Sequence, residues 1–488
     1  MRSGARIAVF AAALLALAIP LAALAASRGS DTNAGGVAAP SFKSDIAPII
    51  ADKCAGCHQS GGIAPFPLET ARQISSKATL IAAAVKDRVM PPWPPGRRSP
   101  AYVGQNARTL SATQRASILA WAKAGAKIDG PAHRAPAVNP PEVREGEALL
   151  DLRMPSAYRP SARTGVTDDY RCFLLDPTQS GDVSVTSARI DPGQPKVVHH
   201  VILFRVPPAQ TAAAKQLDGS DSGPGWPCFG GTGLPAGDSV GSFVDSLNDA
   251  SWVAAWAPGW GSSRLPDGTG VPLAAGSQLV MQVHYNLLNG RSPDRSRALL
   301  TVAPASAKLT PMKTILMPSP VELACARGEQ ARLCNRNEAL FELSRKYGSG
   351  AAFVPAGLLI LCRGNAANPK PSAVSTCDRR ITAPTTIHVA AGHMHLLGAA
   401  IRLELNPGTP GARVLLDIPR WDFHWQNGYT LVRPVKAAAG DVVRVTCRHD
   451  VHQRIHGAHG VPSVPRYILW GEGTTDEMCA GILQVTRG

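Results

Sequence analysis

Ala391-Gly392-His393-Met394-His395-Leu396-Leu397-Gly398 sets two histidines at i and i+2 in an apolar run. That spacing reads as a β-strand, whose period of two turns both imidazoles to one face and Met394 to the other. Two neutral imidazoles a few ångströms apart make half of a metal site, and imidazole suits zinc, copper, iron or nickel. Taken alone, the pair fits a polar sheet face without an ion better than a metal site. The rest of the chain decides between these readings.

A chain of 488 residues exceeds one ordinary core. Charged residues are only 17%, and 46 Gly with 42 Pro favour turn-rich β architecture over helical bundles. The formal net charge of +15 is spread thinly. No Lys/Arg block tracks a phosphate backbone and no nucleic-acid motif occurs, so nucleic acid is not an expected partner. Residues 1–26 carry Arg2 and Arg6, an apolar run from Ile7 to Leu24, and Ala23-Leu24-Ala25. This reads as a secretory signal peptide with a small-residue cleavage site; an uncleaved anchor is the alternative. The mature chain is expected to be periplasmic or secreted, with no membrane span. Ten cysteines suit an oxidising compartment.

Within residues 40–130, Cys54-Ala55-Gly56-Cys57-His58 is the c-type haem attachment pattern. Both thiols add to the haem vinyls and His58 is placed to ligate the iron; a thioredoxin-like pair would not need the histidine. Phe42 to Ile50 reads as a short helix feeding the motif, and Thr109 to Ala124 has helical spacing with Ile118, Leu119 and Trp121. Met90, ahead of Pro91 and Pro92, is the expected sixth ligand, and Met/His ligation raises the haem potential as an electron carrier requires. The segment resembles the small class I cytochromes c, which implies an all-α module holding one covalently bound c-type haem. Residues 131–144 are Pro-rich and read as a linker.

The remaining chain is expected to form two all-β domains, 145–310 and 311–488. Val197-Val198-His199-His200-Val201 reads as strand, and its adjacent histidines can share a metal only at a bulge or a strand end. Gln282-Val283-His284-Tyr285 is a second strand with one histidine, and Asp476-Glu477-Met478-Cys479 follows the His393/His395 stretch. In this order the motifs resemble the copper type II ascorbate-dependent monooxygenases, which include peptidylglycine α-hydroxylating monooxygenase and dopamine β-monooxygenase. Tyr170-Arg171-Cys172, Trp226-Pro227-Cys228 and Ala254-Ala255-Trp256-Ala257-Pro258 extend the likeness.

That resemblance implies two jelly-roll-type β-sandwiches facing a solvent-filled cleft. It implies one copper on His199, His200 and His284, and an oxygen-activating copper on His393, His395 and Met478, where a soft thioether favours Cu(I). Tyr170 and Gln282 match positions around the first copper. It also implies disulfides Cys172–Cys228 and Cys447–Cys479. Cys325, Cys334, Cys362 and Cys377 lie outside the alignable region; local pairs Cys325–Cys334 and Cys362–Cys377 are expected, with two other connectivities open.

The implied function is an exported copper-dependent monooxygenase that hydroxylates a C–H bond of an organic substrate with O2. Electrons would come from a periplasmic donor through the fused haem, entering at the copper of His199, His200 and His284. The alternative is a non-catalytic haem/copper electron-transfer or copper-carrier protein; oxygen-dependent product formation separates the two. In the peptide-amidating branch an arginine, an asparagine and a tyrosine hold the substrate. Here those positions are Ala391, Ala480 and Ile482, so a less polar substrate than a glycine-extended peptide is expected. His449, His452, His456 and His459 read as a polar surface loop rather than a copper-loading one, and His388 and His424 as structural.

Overall fold

Strand Gln278–Asn286 is buried along nearly its whole length because it lies mid-sheet with core on one face and the candidate site on the other. The computed structural model describes residues 39–60, 64–134, 140–162, 167–228, 230–234, 247, 250–257, 263–455 and 464–488. The expected signal peptide, part of the linker, and His456 and His459 lie outside them.

Two β-sandwiches form, in keeping with the β architecture that the composition favours. In the first, a five-stranded sheet runs Trp226–Pro227, Asp168–Leu175, Gln278–Asn286, Val198–Val206, Trp252–Trp256. It packs on a sheet that includes Ala148–Arg153, Arg297–Pro304, Val183–Asp191 and Thr269–Leu273. Phe173, Leu203, Met281, Ile190 and Leu300 fill the space between. In the second, Val374–Arg380, Val442–His449, Gly398–Leu405 and Arg413–Ile418 pack on Thr310–Pro318, Cys479–Arg487, Thr385–Met394 and Gly428–Ala437. Ile387, Ile401, Leu403, Val445 and Leu483 are central there. Thr310 and Pro311 pair in parallel with Thr269 and Gly270, so one nine-stranded sheet runs through both sandwiches.

Ahead of the sandwiches, residues 42–123 are helical: Phe42–Ile46, Ala47–Lys53, Ala71–Ser76, Ala78–Lys86, Gln105–Arg108 and Ala112–Lys123. Thr70/Gln73 and Ser111/Gln114 form capping boxes, each side chain satisfying an amide at the helix start. Phe42, Ile46, Ile50, Ile118 and Trp121 build a separate core. The stretch between Lys86 and Ala112 is stitched to the second sandwich. Val103 N donates to Thr430 O at 2.8 Å, Val432 N to Ala101 O at 3.0 Å, and the Tyr102 hydroxyl to Leu415 O at 2.8 Å. Trp93 and Tyr102 both pack against the ring of Tyr429.

Four disulfides are present: Cys172–Cys228, Cys325–Cys334, Cys362–Cys377 and Cys447–Cys479. All four pairings are the expected ones, and they fit an oxidising compartment. Cys54 and Cys57 are unpaired. No described helix is long and apolar enough to cross a membrane.

Candidate metal centre

Two successive residues of a regular strand face opposite ways. The pairing of Val198–Val206 with Gln278–Asn286 shifts register between Val198 and His200, and this bulge lets His199 and His200 share a face. Their Nδ1 atoms are 3.2 Å apart, and Nδ1 of His284, directly across the ladder from His200, is 3.3 Å from His200 Nδ1. One nitrogen from each of the three rings falls within 4.8 Å of the others. Burial, with the neighbouring imidazoles adding to it, holds His199 and His200 well below the ordinary histidine range. Both therefore stay neutral, the form that binds a metal.

The sequence gives little sign of what braces His284. Its Nε2 lies 2.8 Å from Asp168 Oδ1, and the Thr474 hydroxyl donates to the same oxygen. Burial pushes the Asp168 carboxyl up, but His284 and the Thr474 and Thr167 hydroxyls outweigh it and hold it low. Tyr170 stacks on His284 at 4.2 Å with the rings 7° apart, and its hydroxyl donates to Glu472 O at 2.6 Å. Tyr170 thus abuts His284 and lies 6.4 Å from the ring of His200. Gln282 does not touch them through a hydrogen bond; its amide donates to Cys228 O and Gly231 O and braces the disulfide loop. A carboxylate behind a ligating imidazole fixes ring orientation and raises ligand basicity. Asp168→Asn is therefore expected to weaken metal binding at the three-histidine set by about 10- to 100-fold. A chelator-competition titration with unchanged circular dichroism checks this.

His393 is the penultimate residue of strand Thr385–Met394, and His395 follows just past its end. The antiparallel pairs His393–Ala480 and Met394–Cys479 bring His395 opposite Met478. The two imidazole centroids are 5.1 Å apart. His393 Nδ1 sits 2.6 Å from Gln426 Oε1, and His395 Nδ1 sits 3.3 Å from Asp476 O. Burial lowers His393 to about 4 and holds His395 well below the ordinary histidine range. Glu477 has no exposed surface; its carboxyl accepts the backbone N–H groups of His395, Leu397 and Met478. Burial pushes Glu477 up to about 8. One side chain therefore ties the His395–Leu397 segment to Met478.

These sets adjoin. His200 and His393 have ring centroids 6.2 Å apart, and Phe423 stacks on His199 at 4.4 Å while lying 6.1 Å from His395. His199 and His200 of the first set and His393, His395 and Met478 of the second line one cavity of about 1270 Å³, together with Ala391, Ala480, Ile482 and Trp470. The spacing is tighter than a broad cleft between the two histidine sets would give.

Elsewhere, one reading is corrected. His449 is not part of a surface loop: it ends strand Val442–His449, is buried, and places Nε2 3.4 Å from Met478 O. His452 is exposed. His388, as expected, is a core residue bonded to Thr486. In the helical segment, His58 Nδ1 is 3.0 Å from Phe66 O, which leaves Nε2 for another partner, and burial pushes the Cys54 thiol up to about 12. Met90 is half-buried after helix Ala78–Lys86, and no described hydrogen bond joins it to His58.

No protein-family model and no curated protein matches the chain. Similar solved structures include the major capsid protein P2 of bacteriophage PM2, at 10% identity over 70% of this chain and 97% of that one, with a TM-score of 0.24. A xanthan lyase of Paenibacillus is 13% identical over 73% of this chain and 28% of that one, with a TM-score of 0.16. Likeness this slight carries no argument about fold or function.

Proposed function

We propose that this protein is an exported copper-dependent monooxygenase that hydroxylates a C–H bond of a largely apolar substrate. The observation that carries the reading is the meeting of two different donor sets on one cavity wall, 6.2 Å apart ring to ring. His199, His200 and His284 offer three imidazoles, two of them held neutral by burial, which suits copper. His393, His395 and Met478 add a thioether, a ligand that favours Cu(I) and serves zinc poorly. Copper bound there would supply oxygen activation and hydrogen abstraction. The chain's own part is placement. Asp168 and Gln426 orient imidazoles, Glu477 fixes the two ligand strands, and Phe423 with Trp470 and Ile482 gives the substrate an apolar wall.

The unpaired Cys54 and Cys57, followed by a His58 whose Nδ1 is engaged, fit a covalent c-type haem with Met90 as sixth ligand. That group would feed electrons from a periplasmic donor. Purified protein is expected to carry two coppers and one haem per chain and to consume O2 with formation of a hydroxylated product. Metal analysis and a pyridine haemochromogen assay, then an O2-electrode screen of apolar candidates, test it. Copper redox cycling with no O2-dependent product would instead mark a carrier. Rapid amidation of a glycine-extended peptide would refute the apolar substrate.

A further inference from the structure

We propose that the helix Ser349–Leu361 docks this protein on an anionic phospholipid bilayer. The docking itself does not need the copper reading. What rests on that reading is the use of the docked face as the way in for an apolar substrate.

This helix is apolar all round. Beyond Ser349 its residues are Gly, Ala, Pro, Val, Leu, Ile and Phe, with no charge among them. A helix of that kind is normally covered on every side. Here the fold covers one side only. Pro355, Leu358 and Leu359 are buried, whereas Phe353 is 74% exposed and Ile360 69%. With exposed Gly357 they stand at i, i+4 and i+7, a single stripe facing outward. Phe341, on the preceding helix Arg336–Tyr347 that packs against this one, is 68% exposed. Both helices are braced from the rest of the fold. Cys362, at the C-cap, is bonded to Cys377 of strand Val374–Arg380. Asn335 caps the preceding helix, and the Arg336 guanidinium donates to both carboxylate oxygens of Glu322 at 2.6 and 2.7 Å.

Charge selects a lipid surface as the occupant. Arg345 and Lys346 precede the helix, Arg363 and Lys370 follow it, and no acidic residue occurs from 343 to 377. Lys346 is engaged with Glu342 at 2.9 Å, but Arg345, Arg363 and Lys370 are exposed. Asp378, the next acid along the chain, is taken by Arg444. An apolar stripe between cations matches an anionic headgroup layer: each basic residue near the surface adds attraction, and its long stem lets the charge stay among the headgroups. Area points the same way. Phe341, Phe353, Val354 and Ile360 together offer well under the ~800 Å² per partner that a stable protein interface buries. Val354 joins the stripe to the site, since it is 38% exposed and, with Leu358, lines the cavity that carries His393 and Met478. A substrate dissolved in the bilayer thus meets the cavity wall where the helix docks.

The test is flotation of the purified full chain with large unilamellar vesicles at physiological salt, one set of phosphatidylcholine and one an equal mixture with phosphatidylglycerol. Binding to the anionic set is expected, and weaker binding to the neutral one. Phe353→Ser combined with Ile360→Ser, both at exposed positions, should lower the partition coefficient about tenfold or more. Arg345→Gln combined with Arg363→Gln should lower it about tenfold on the anionic vesicles alone. In Phe353→Trp, brominated acyl chains should quench the added tryptophan. The N-terminal apolar run is common to parent and variants. Equal binding by the parent and the double serine variant, with matched circular dichroism and no quenching in Phe353→Trp, would assign binding to that run and overturn the inference. So would no vesicle binding by the parent, or a dimer in sedimentation velocity that the serine variant abolishes, which would give the stripe to a second copy. Flotation is read without turnover, so its outcome is independent of the copper reading, which metal analysis and O2 consumption test separately.

Discussion

Glu477→Ala should lower stability by at least about 3 kcal/mol, because it strands three buried amides at roughly 1–3 kcal/mol each and opens a cavity. The amides of His395, Leu397 and Met478 have no water to turn to, since the site of the carboxyl is fully enclosed. Chemical denaturation with matched circular dichroism and fluorescence transitions measures the loss. Glu477→Gln keeps one acceptor oxygen but turns an amide donor toward a donor, so an intermediate loss is expected. A loss below about 1 kcal/mol for the alanine variant, the scale of a surface change, would mean the clamp is not structural.

Met478→Leu is expected to leave the fold nearly intact and to abolish oxygen chemistry. The two side chains have similar volume, and such core exchanges cost under about 1.5 kcal/mol. What disappears is the thioether. Under the copper reading, O2-dependent turnover should drop by roughly 100-fold or more, equal to about 2.7 kcal/mol of barrier. Copper at the three-histidine set should be retained. Turnover within a few fold of the parent, alongside full copper loading, would remove Met478 from the site.

Much of this site is readable from the chain because its donors sit in short local patterns. His393 and His395 are two apart on a strand, and His199 with His200 demands a bulge, which the ladder supplies between Val198 and His200. The braces are harder, because they come from far along the chain. Asp168 reaches His284 across 116 residues and Gln426 reaches His393 across 33. Glu477 stands inside a motif visible in the sequence, but two of the three amides it accepts from, those of His395 and Leu397, are 80 or more residues away. His449 is hard to read because Gly457, Gly460 and Pro462 suggest a loop for the whole histidine cluster, whereas strand Val442–His449 lies ahead of them in the chain. The parallel seam of Thr269 and Gly270 with Thr310 and Pro311 has no periodic signature at all, being two residues long.

The place of strand Cys479–Arg487 sets a schedule for the molecule. It is inserted between Thr310–Pro318 and Thr385–Met394, with Met312 opposite Thr486 and Thr385 opposite Arg487. Segments so distant in the chain pay a large loop-closure entropy before their contacts reward them, which slows folding. On a ribosome, every residue from 310 to 478 emerges before the middle of its own sheet exists. The thioether arrives immediately ahead of that strand, so His393 and His395 wait as an unfinished pair until synthesis has passed it.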